Sequence, residues 1–205
     1  MRPTEILRQE HRVIERVLDC LEALAARARE ESLLDREAAA EATSFLECFA
    51  DRCHHGKEEE RLFPAMLRAG LPRDVGPLPV LLEEHERGRA SLRGMKHAVG
   101  ANEVEDFAAH ATAFVELLRE HIRKEDAVFF PLADRLLDDA QQAALLQEFE
   151  RFEHEDVGSG RHEELLAVAG RLWERFGNPG AEPLPRTTFA CGHHAPSGHR
   201  ALELP

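Results

Sequence analysis

The 205-residue chain contains no tyrosine, which excludes tyrosine ligation of a metal and tyrosyl-radical chemistry. Its four cysteines form no close pair, so we expect neither a disulfide framework nor a cysteine-type zinc site, and the thiols should stay reduced. The Glu-x-x-His spacing of ferritin-like di-iron proteins is also missing, which argues against that type of metal site. The cysteines are Cys20, Cys48, Cys53 and Cys191.

Long apolar runs are absent as well. No run approaches the roughly 18 residues that span a bilayer, and the first residues, MRPTEILRQEH, lack a signal-peptide core. The net charge of -13, from 26 basic and 39 acidic residues, argues against nucleic acid and anionic membranes as partners. We therefore predict a cytoplasmic protein with no membrane partner.

Apolar residues recur at alternating spacings of three and four, which predicts an all-α fold built from amphipathic helices. In four segments a histidine stands on this apolar stripe, so the helices of a bundle deliver polar groups to its interior. A fifth amphipathic region follows from residue 138 and resumes after a break at 157–160. We predict one helical domain over residues 1–176, with the fifth region packed on the bundle, and an extended or disordered tail over 177–205 that is rich in proline and glycine.

Two stretches of eleven residues match each other: HHGKEEERLFP at 54–64 and HIRKEDAVFFP at 121–131. Each places a glutamate four residues after a histidine, so that both side chains lie on one face of a helix. Upstream of each stretch stands a further Glu-His pair, which contains His11 or His85. Each half of the chain thus offers two histidines and one carboxylate. The six candidate metal ligands are His11, His54, Glu58, His85, His121 and Glu125.

A buried ion-pair network is the alternative interpretation, because a lone core histidine is more often hydrogen-bonded than metal-bound. Carboxylates on a core stripe, however, are costly to bury unless they are paired or coordinated. Six ligands exceed the needs of one tetrahedral zinc. Two histidines and a carboxylate in each half favour a dinuclear centre, with iron as the leading metal and manganese or zinc also open.

These motifs resemble the bacterial hemerythrin-like, His-His-Glu cation-binding family over residues 4 to about 135. The resemblance implies an up-down-up-down four-helix bundle around a non-haem di-iron centre with oxo or hydroxo bridges. It also implies reaction with a small diatomic ligand or peroxide: oxygen, peroxide or nitric oxide. By resemblance, the six residues named above are the metal ligands.

The chain departs from this family where oxygen carriers have a second histidine on the third helix. Arg89 lies four residues after His85 and Leu81 four before, so reversible oxygen carriage is not favoured. His55 stands a quarter-turn from the His54 face and is expected behind the ligands or at the surface. Lys57 and Lys124 are expected to extend outward, and Pro64 and Pro131 to end or kink their helices. The candidates for an additional ligand are His55, Glu59, Glu155 and His162.

Three functions are compatible with these features. The first is a redox-active di-iron protein, which could be an enzyme that reduces peroxide or oxygen. The second is an iron, oxygen or redox sensor that works without turnover, and the third is a structural bundle with an ion-pair core. The tail sequence FACGHHAPSGHR contains Cys191, His193, His194 and His199 and could bind metal weakly. The sequence identifies no protein partner.

Overall fold

The computed structural model describes residues 1–158 and 160–177, and every regular element in those ranges is helical, which confirms the all-α class. Within the same ranges, no helix is both long enough and apolar enough to cross a membrane. The α-helices are α1 (Pro3–Glu31), α2 (Arg36–Phe45), α3 (Phe63–Arg68), α4 (Pro77–Ala101), α5 (Val104–Lys124), α6 (Phe130–Leu136), α7 (Asp139–Phe152) and α8 (Arg161–Phe176). Four π-helical segments interrupt them: π1 (Leu46–His55), π2 (Glu58–Leu62), π3 (Glu125–Phe129) and π4 (Glu153–Gly158).

Four long helical stretches carry the candidate ligands. These are α1, the stretch from α2 through α3, α4, and the stretch from α5 through α6. α4 packs along α5, and α1 packs along both α5 and α8. Ser32 and Asn102, each with positive φ, end α1 and α4 and allow the chain to turn after them. The up-down-up-down order of the four stretches stays a prediction.

The prolines after the two repeated motifs, which were expected to end or kink their helices, do not end them. α3 runs on to Arg68 and α6 to Leu136. Before each proline the helix widens into a π-turn, in which Phe63 N–H donates to the Glu58 carbonyl and Phe130 N–H to that of Glu125. A proline has no N–H and its ring clashes with the carbonyl four residues back in an α-helix, so a wider turn accommodates it. Both candidate glutamates thus begin a π-segment.

The fifth amphipathic region forms α7, π4 and α8. Asp138 and Gln141 form a reciprocal N-terminal cap on α7. α8 packs Leu165 and Leu172 into the main hydrophobic core, as the sequence predicts. The predicted tail lies outside the described residues from residue 178 onward, together with its candidate ligands Cys191, His193, His194 and His199.

The candidate site forms a polar layer between two apolar clusters. The larger cluster is built mainly from α1, α2, α4, α5 and α8, and the smaller one lies around α3, α6 and α7. Along α1, His11 lies between Leu7 of the smaller cluster and Ile14 of the larger one. Each of the other three ligand-bearing stretches also passes from one cluster to the other. The polar groups of all four stretches therefore lie in the same layer, between the two clusters.

Candidate metal centre

The structure brings the six predicted residues together in the interior, where each is at most 1% exposed. Their ligand-type atoms form two groups, within each of which all atoms lie within 4.8 Å of one another. Glu58 belongs to both groups, so the two are adjacent. The first group is His11, His54, Glu58 and Glu125, and the second is His55, Glu58, His85 and His121.

The two glutamates each face one histidine from each group. Glu58 Oε1 lies 3.7 Å from His54 Nε2, and its Oε2 lies 3.5 Å from His85 Nε2. Glu125 Oε2 lies 3.2 Å from His11 Nε2, and its Oε1 lies 3.2 Å from His121 Nε2. Each carboxylate therefore has one oxygen directed toward each group, the arrangement that a carboxylate bridging two metals requires.

Most of the inward-facing atoms have no hydrogen bond. This set comprises His11 Nε2, His54 Nε2, both ring nitrogens of His55, and both carboxylate oxygens of Glu58 and of Glu125. Leaving a buried polar group unsatisfied costs about 1–3 kcal/mol. So many such atoms around one point are poorly explained by an ion-pair core. They fit a centre whose cations complete the coordination of the nitrogen and oxygen atoms.

Carboxylates behind the histidines orient four of the rings. His54 Nδ1 lies 2.9 Å from Glu10 Oε2, and His121 Nδ1 lies 3.0 Å from Glu84 Oε2. An ionised carboxylate only accepts, so each Nδ1 carries a proton and each Nε2 is the ring nitrogen that faces the centre, where it can bind a metal once any proton on it is lost. The same holds for His11 with Asp126 at 2.9 Å and for His85 with Glu59 at 2.6 Å. Such pairs are typical of metal-ligating histidines.

The lysines of the two motifs extend this pattern, which corrects the expectation for one of them. Lys57, expected at the surface, is 0% exposed and donates to Glu10, and Lys124 donates to Glu84 while 38% of its side chain stays exposed. The carboxylate that accepts from a histidine also accepts from the lysine ammonium, so the ammonium is paired and need not extend into water. Lysine thus fixes the glutamate that in turn fixes the histidine.

Arg89, at the position where oxygen carriers have a ligand, has a different role here. Its guanidinium binds Asp51 at 2.8 Å and also Glu59. Glu59, a candidate additional ligand, therefore lies behind His85 and holds its Nδ1 rather than facing the centre.

His55 lies inside the site, contrary to the expectation that it stands behind the ligands or at the surface. It is 4% exposed, belongs to the second group, and stacks on His85 with ring centroids 3.8 Å apart. It is the last residue of π1, where wider turns separate consecutive side chains by a smaller angle than in an α-helix. His54 and His55 can therefore both face inward, one in each group.

The remaining candidates from the fifth region are placed elsewhere. Glu155 is exposed. His162 is buried but belongs to a separate cluster with Glu10, Cys53 and Glu153, on the outer side of His54. Neither residue belongs to the two groups around Glu58, so the fifth imidazole comes from His55.

The carboxylates behind the histidines are ionised. Burial opposes this at Glu10, but Lys57 and His54 outweigh it and lower the pKa of Glu10 to about 2. The hydrogen bond from His121 lowers the pKa of Glu84. All the acceptors therefore keep the charge that holds the rings.

The inner pair of carboxylates behaves differently. Burial and the charge of Glu125 raise the pKa of Glu58 well above its usual range. Burial acts the same way on Glu125, but His121 and His11 lower the pKa of Glu125 well below its usual range. Burial also opposes the charge on His121, yet Glu125 and Glu84 raise its pKa to about 9. Without metal, His121 therefore holds a second proton at neutral pH, and burial favours the protonated form of Glu58.

Comparisons with known proteins are consistent with this geometry. A family model described as the hemerythrin HHE cation binding domain matches residues 2–133. Uncharacterised proteins of Mycobacterium bovis and of two strains of Mycobacterium tuberculosis are each 25% identical over 179 residues, covering 84% of this chain and 69% of the relative. No solved structure matches the chain. The matched region contains both groups of candidate ligands and ends before α7 begins.

Proposed function

The chain belongs to the hemerythrin HHE cation-binding domain family, and from this premise we propose that it is a non-haem di-iron protein that reacts with oxygen, peroxide or nitric oxide. The observation that carries the proposal is the pair Glu58 and Glu125. Each directs one oxygen toward a histidine of each group. Two buried carboxylates this close are unfavourable in an apolar core and favourable between two cations.

The ligands of the two metal positions are assigned from the two groups. The two-histidine position takes His11 and His54, and the three-histidine position takes His55, His85 and His121, with both glutamates shared. Imidazole and carboxylate suit iron, and they also suit manganese and zinc. Bound iron would supply reversible one-electron chemistry and an open coordination position for a small molecule. Because the two-histidine position has one imidazole fewer, we assign the small molecule to that side.

The surrounding residues keep the centre dry and the donors oriented. Phe130 stacks on His11 with centroids 5.3 Å apart, and Phe63 stacks on His85 at 6.0 Å. These rings close the site toward the smaller apolar cluster, to which both belong. His55 is the fifth imidazole of the two groups. The site therefore has five imidazoles even though Arg89 stands where oxygen carriers have a histidine. Oxygen carriage therefore joins peroxide reduction as an outcome to be measured.

We also propose the order of the helices, the domain bounds and the location of the protein, starting from its family membership. The four long helical stretches run up-down-up-down, as the family implies, and residues 1–176 form one domain. Cys20, Cys48 and Cys53 are free thiols, which fits a reducing, cytoplasmic location.

The experiment that tests the function is metal analysis of protein purified without air, followed by a visible spectrum as air is admitted. We expect two irons per chain and an oxo-bridge absorption band on oxidation. One metal per chain would contradict the dinuclear centre. Repeated oxygenation and deoxygenation without loss of signal would indicate carriage, whereas steady consumption of added peroxide would indicate an enzyme. If the protein binds iron but shows neither behaviour, a sensor is favoured. A sensor is the second candidate because the C-terminal helices contact the centre.

Replacing His55 with glutamine should lower the affinity for one of the two irons by at least about tenfold and alter the visible spectrum, since loss of even an outer partner of a metal ligand typically costs that much. The other iron should remain. His97→Gln, a change at an exposed histidine of α4, is the matched control and should change neither quantity. Unchanged affinity in His55→Gln would reduce His55 to a packing role against His85.

Metal binding should release at least one proton per chain at pH 7, because His121 holds a second proton without metal and must lose it to coordinate, and any proton on Glu58, whose pKa is raised, adds to the release. Protons compete with the metal, so affinity should rise with pH toward the pKa of about 9 of His121. Calorimetric titration with Zn²⁺ in buffers of different ionisation enthalpy measures the number. Heats that do not depend on the buffer would contradict the predicted protonation.

A further inference from the structure

The C-terminal helical segment, residues 139–176, lies outside the matched family region and still reaches the back of the candidate metal centre. Glu153, the first residue of π4, accepts from Lys57 Nζ at 2.7 Å. Lys57 also donates to Glu10, which holds His54 Nδ1 at 2.9 Å. Three contacts thus connect π4 with a candidate ligand.

The other half of the centre has the same lysine–glutamate–histidine contacts but lacks a counterpart of Glu153. Lys124 binds Glu84, which holds His121. Within residues 1–158 and 160–177, no second carboxylate pairs with Lys124, and its side chain is 38% exposed, whereas Lys57 is 0% exposed. The duplicated site is therefore asymmetric. Among the described residues, the contacts that run from the C-terminal segment through Lys57 to the two-histidine half have no counterpart at Lys124 in the other half.

A second close contact fixes the same junction. Gly56 lies between His55 and Lys57, and a Cβ added there would be 2.6 Å from Cζ of Phe152. The missing side chain is what allows this ring, the neighbour of Glu153, to lie against the ligand-bearing turn. The segment is therefore fitted to the backbone that carries His54 and His55 and does not merely lie near a flexible lysine.

The cluster of Glu10, Cys53, Glu153 and His162 could also be interpreted as a third metal site. The Lys57 ammonium is bonded to both Glu10 and Glu153, so it already provides the positive charge that a metal ion would bring between these carboxylates. The cluster is better explained as a connection between the segment and the centre than as a further cation site.

We propose that Glu153 is a positioning residue for the two-histidine metal position and that, through Lys57 and Glu10, it couples the C-terminal helices to the metal centre. This inference rests on the proposed function. Glu153 restrains Lys57, Lys57 restrains Glu10, and Glu10 sets the ring orientation and basicity of His54. Because coupling between two sites is reciprocal, metal binding at His54 must also stabilise the placement of π4 and the start of α8.

The variant test is anaerobic titration with Fe²⁺ against a competing chelator. Glu153→Gln should weaken one of the two irons by about tenfold, at the low end of the effect of a direct outer partner. Glu148→Gln is the matched control, since Glu148 on the same segment pairs at the surface with Arg61 and Arg151 and should leave both affinities unchanged. In a Glu10→Gln background, Glu153→Gln should add little, because it acts through Glu10. Equal affinities in Glu153→Gln and Glu148→Gln, or full additivity with Glu10→Gln, would overturn the proposal.

Hydrogen exchange on the unaltered protein tests the coupling without any variant. Adding Zn²⁺ should slow exchange in residues 150–165 more than in 170–176, and Glu153→Gln should remove that difference. If Zn²⁺ binds with a stoichiometry of two and protects the ligand-bearing helices while 150–165 exchange as before, the coupling is refuted and the proposed function stands. If the unaltered protein binds no metal, the proposed function itself fails.

Discussion

Alanine at both Glu58 and Glu125 is expected to abolish binding of both irons. Each carboxylate faces a histidine from each group, so its loss removes an oxygen ligand from both metal positions. Losing a single outer partner of a ligand typically costs 10–100-fold in affinity, so losing two shared ligands should cost more than about 100-fold at each position. Metal analysis after anaerobic purification measures this directly. Each single variant should retain less iron than the unaltered protein.

The matched control for this pair is Glu60→Ala with Glu116→Ala. Both residues are exposed glutamates on the same helical stretches as Glu58 and Glu125. The control removes the same number of carboxyl groups and leaves the inner pair in place, so it should bind two irons. A full complement of iron in the Glu58 and Glu125 double variant would show that the metal is held elsewhere and would refute the assigned centre.

The fold class was predictable because helical periodicity is a local property of the sequence. The six inward residues stand on apolar stripes at spacings of three and four, and the structure brings them together. The π-segments were not predicted, since an α-helical wheel assumes a constant turn. A signal for π2 and π3 was nevertheless present, because a proline stands six residues after Glu58 and another six residues after Glu125, and a wider turn before each proline accommodates it.

The errors at His55 and Lys57 have separate causes. The turn angle of an α-helix places His55 away from the His54 face, whereas the wider turns of π1 bring it beside His54 in the interior. The position of Lys57 in the sequence shows only an isolated charge, for which water is the best partner. Glu10 comes from a different helix and Glu153 from another, and their positions relative to Lys57 depend on tertiary packing that no spacing rule encodes.

The asymmetry of the centre could not be predicted from the sequence, because it also depends on tertiary packing. The repeated motifs HHGKEEERLFP and HIRKEDAVFFP suggest two equal halves. Only the placement of α7 against Gly56 and of Glu153 against Lys57 shows that the lysine of one half is covered, whereas Lys124 in the other half is 38% exposed. The duplicated motif therefore predicts the donors, while the surrounding helices determine how the two metal positions differ.

Removal of metal by a chelator is expected to lower the melting temperature by about 10–20 °C. A ligand that binds only the folded state at 100 times its Kd stabilises by about 2.7 kcal/mol, so two such sites add about 5 kcal/mol. For a protein of this size, each kcal/mol corresponds to about 2–4 °C. The physical origin lies in the inner carboxylate oxygens and imidazole nitrogens that lack hydrogen bonds in the core and that a bound cation would satisfy. Differential scanning calorimetry with and without chelator measures the shift.

The Glu58→Ala, Glu125→Ala variant separates this stabilisation from any direct effect of the chelator. It lacks the shared ligands, so its melting temperature should be the same with and without chelator. The variant also lacks the two buried carboxylates. Its stability can therefore differ from that of the metal-free unaltered protein, and only the effect of chelator on each protein is compared. If the unaltered protein melted at one temperature in both conditions while binding two irons, the metals would lie at the periphery. The polar layer between the two apolar clusters would then be an ion-pair core.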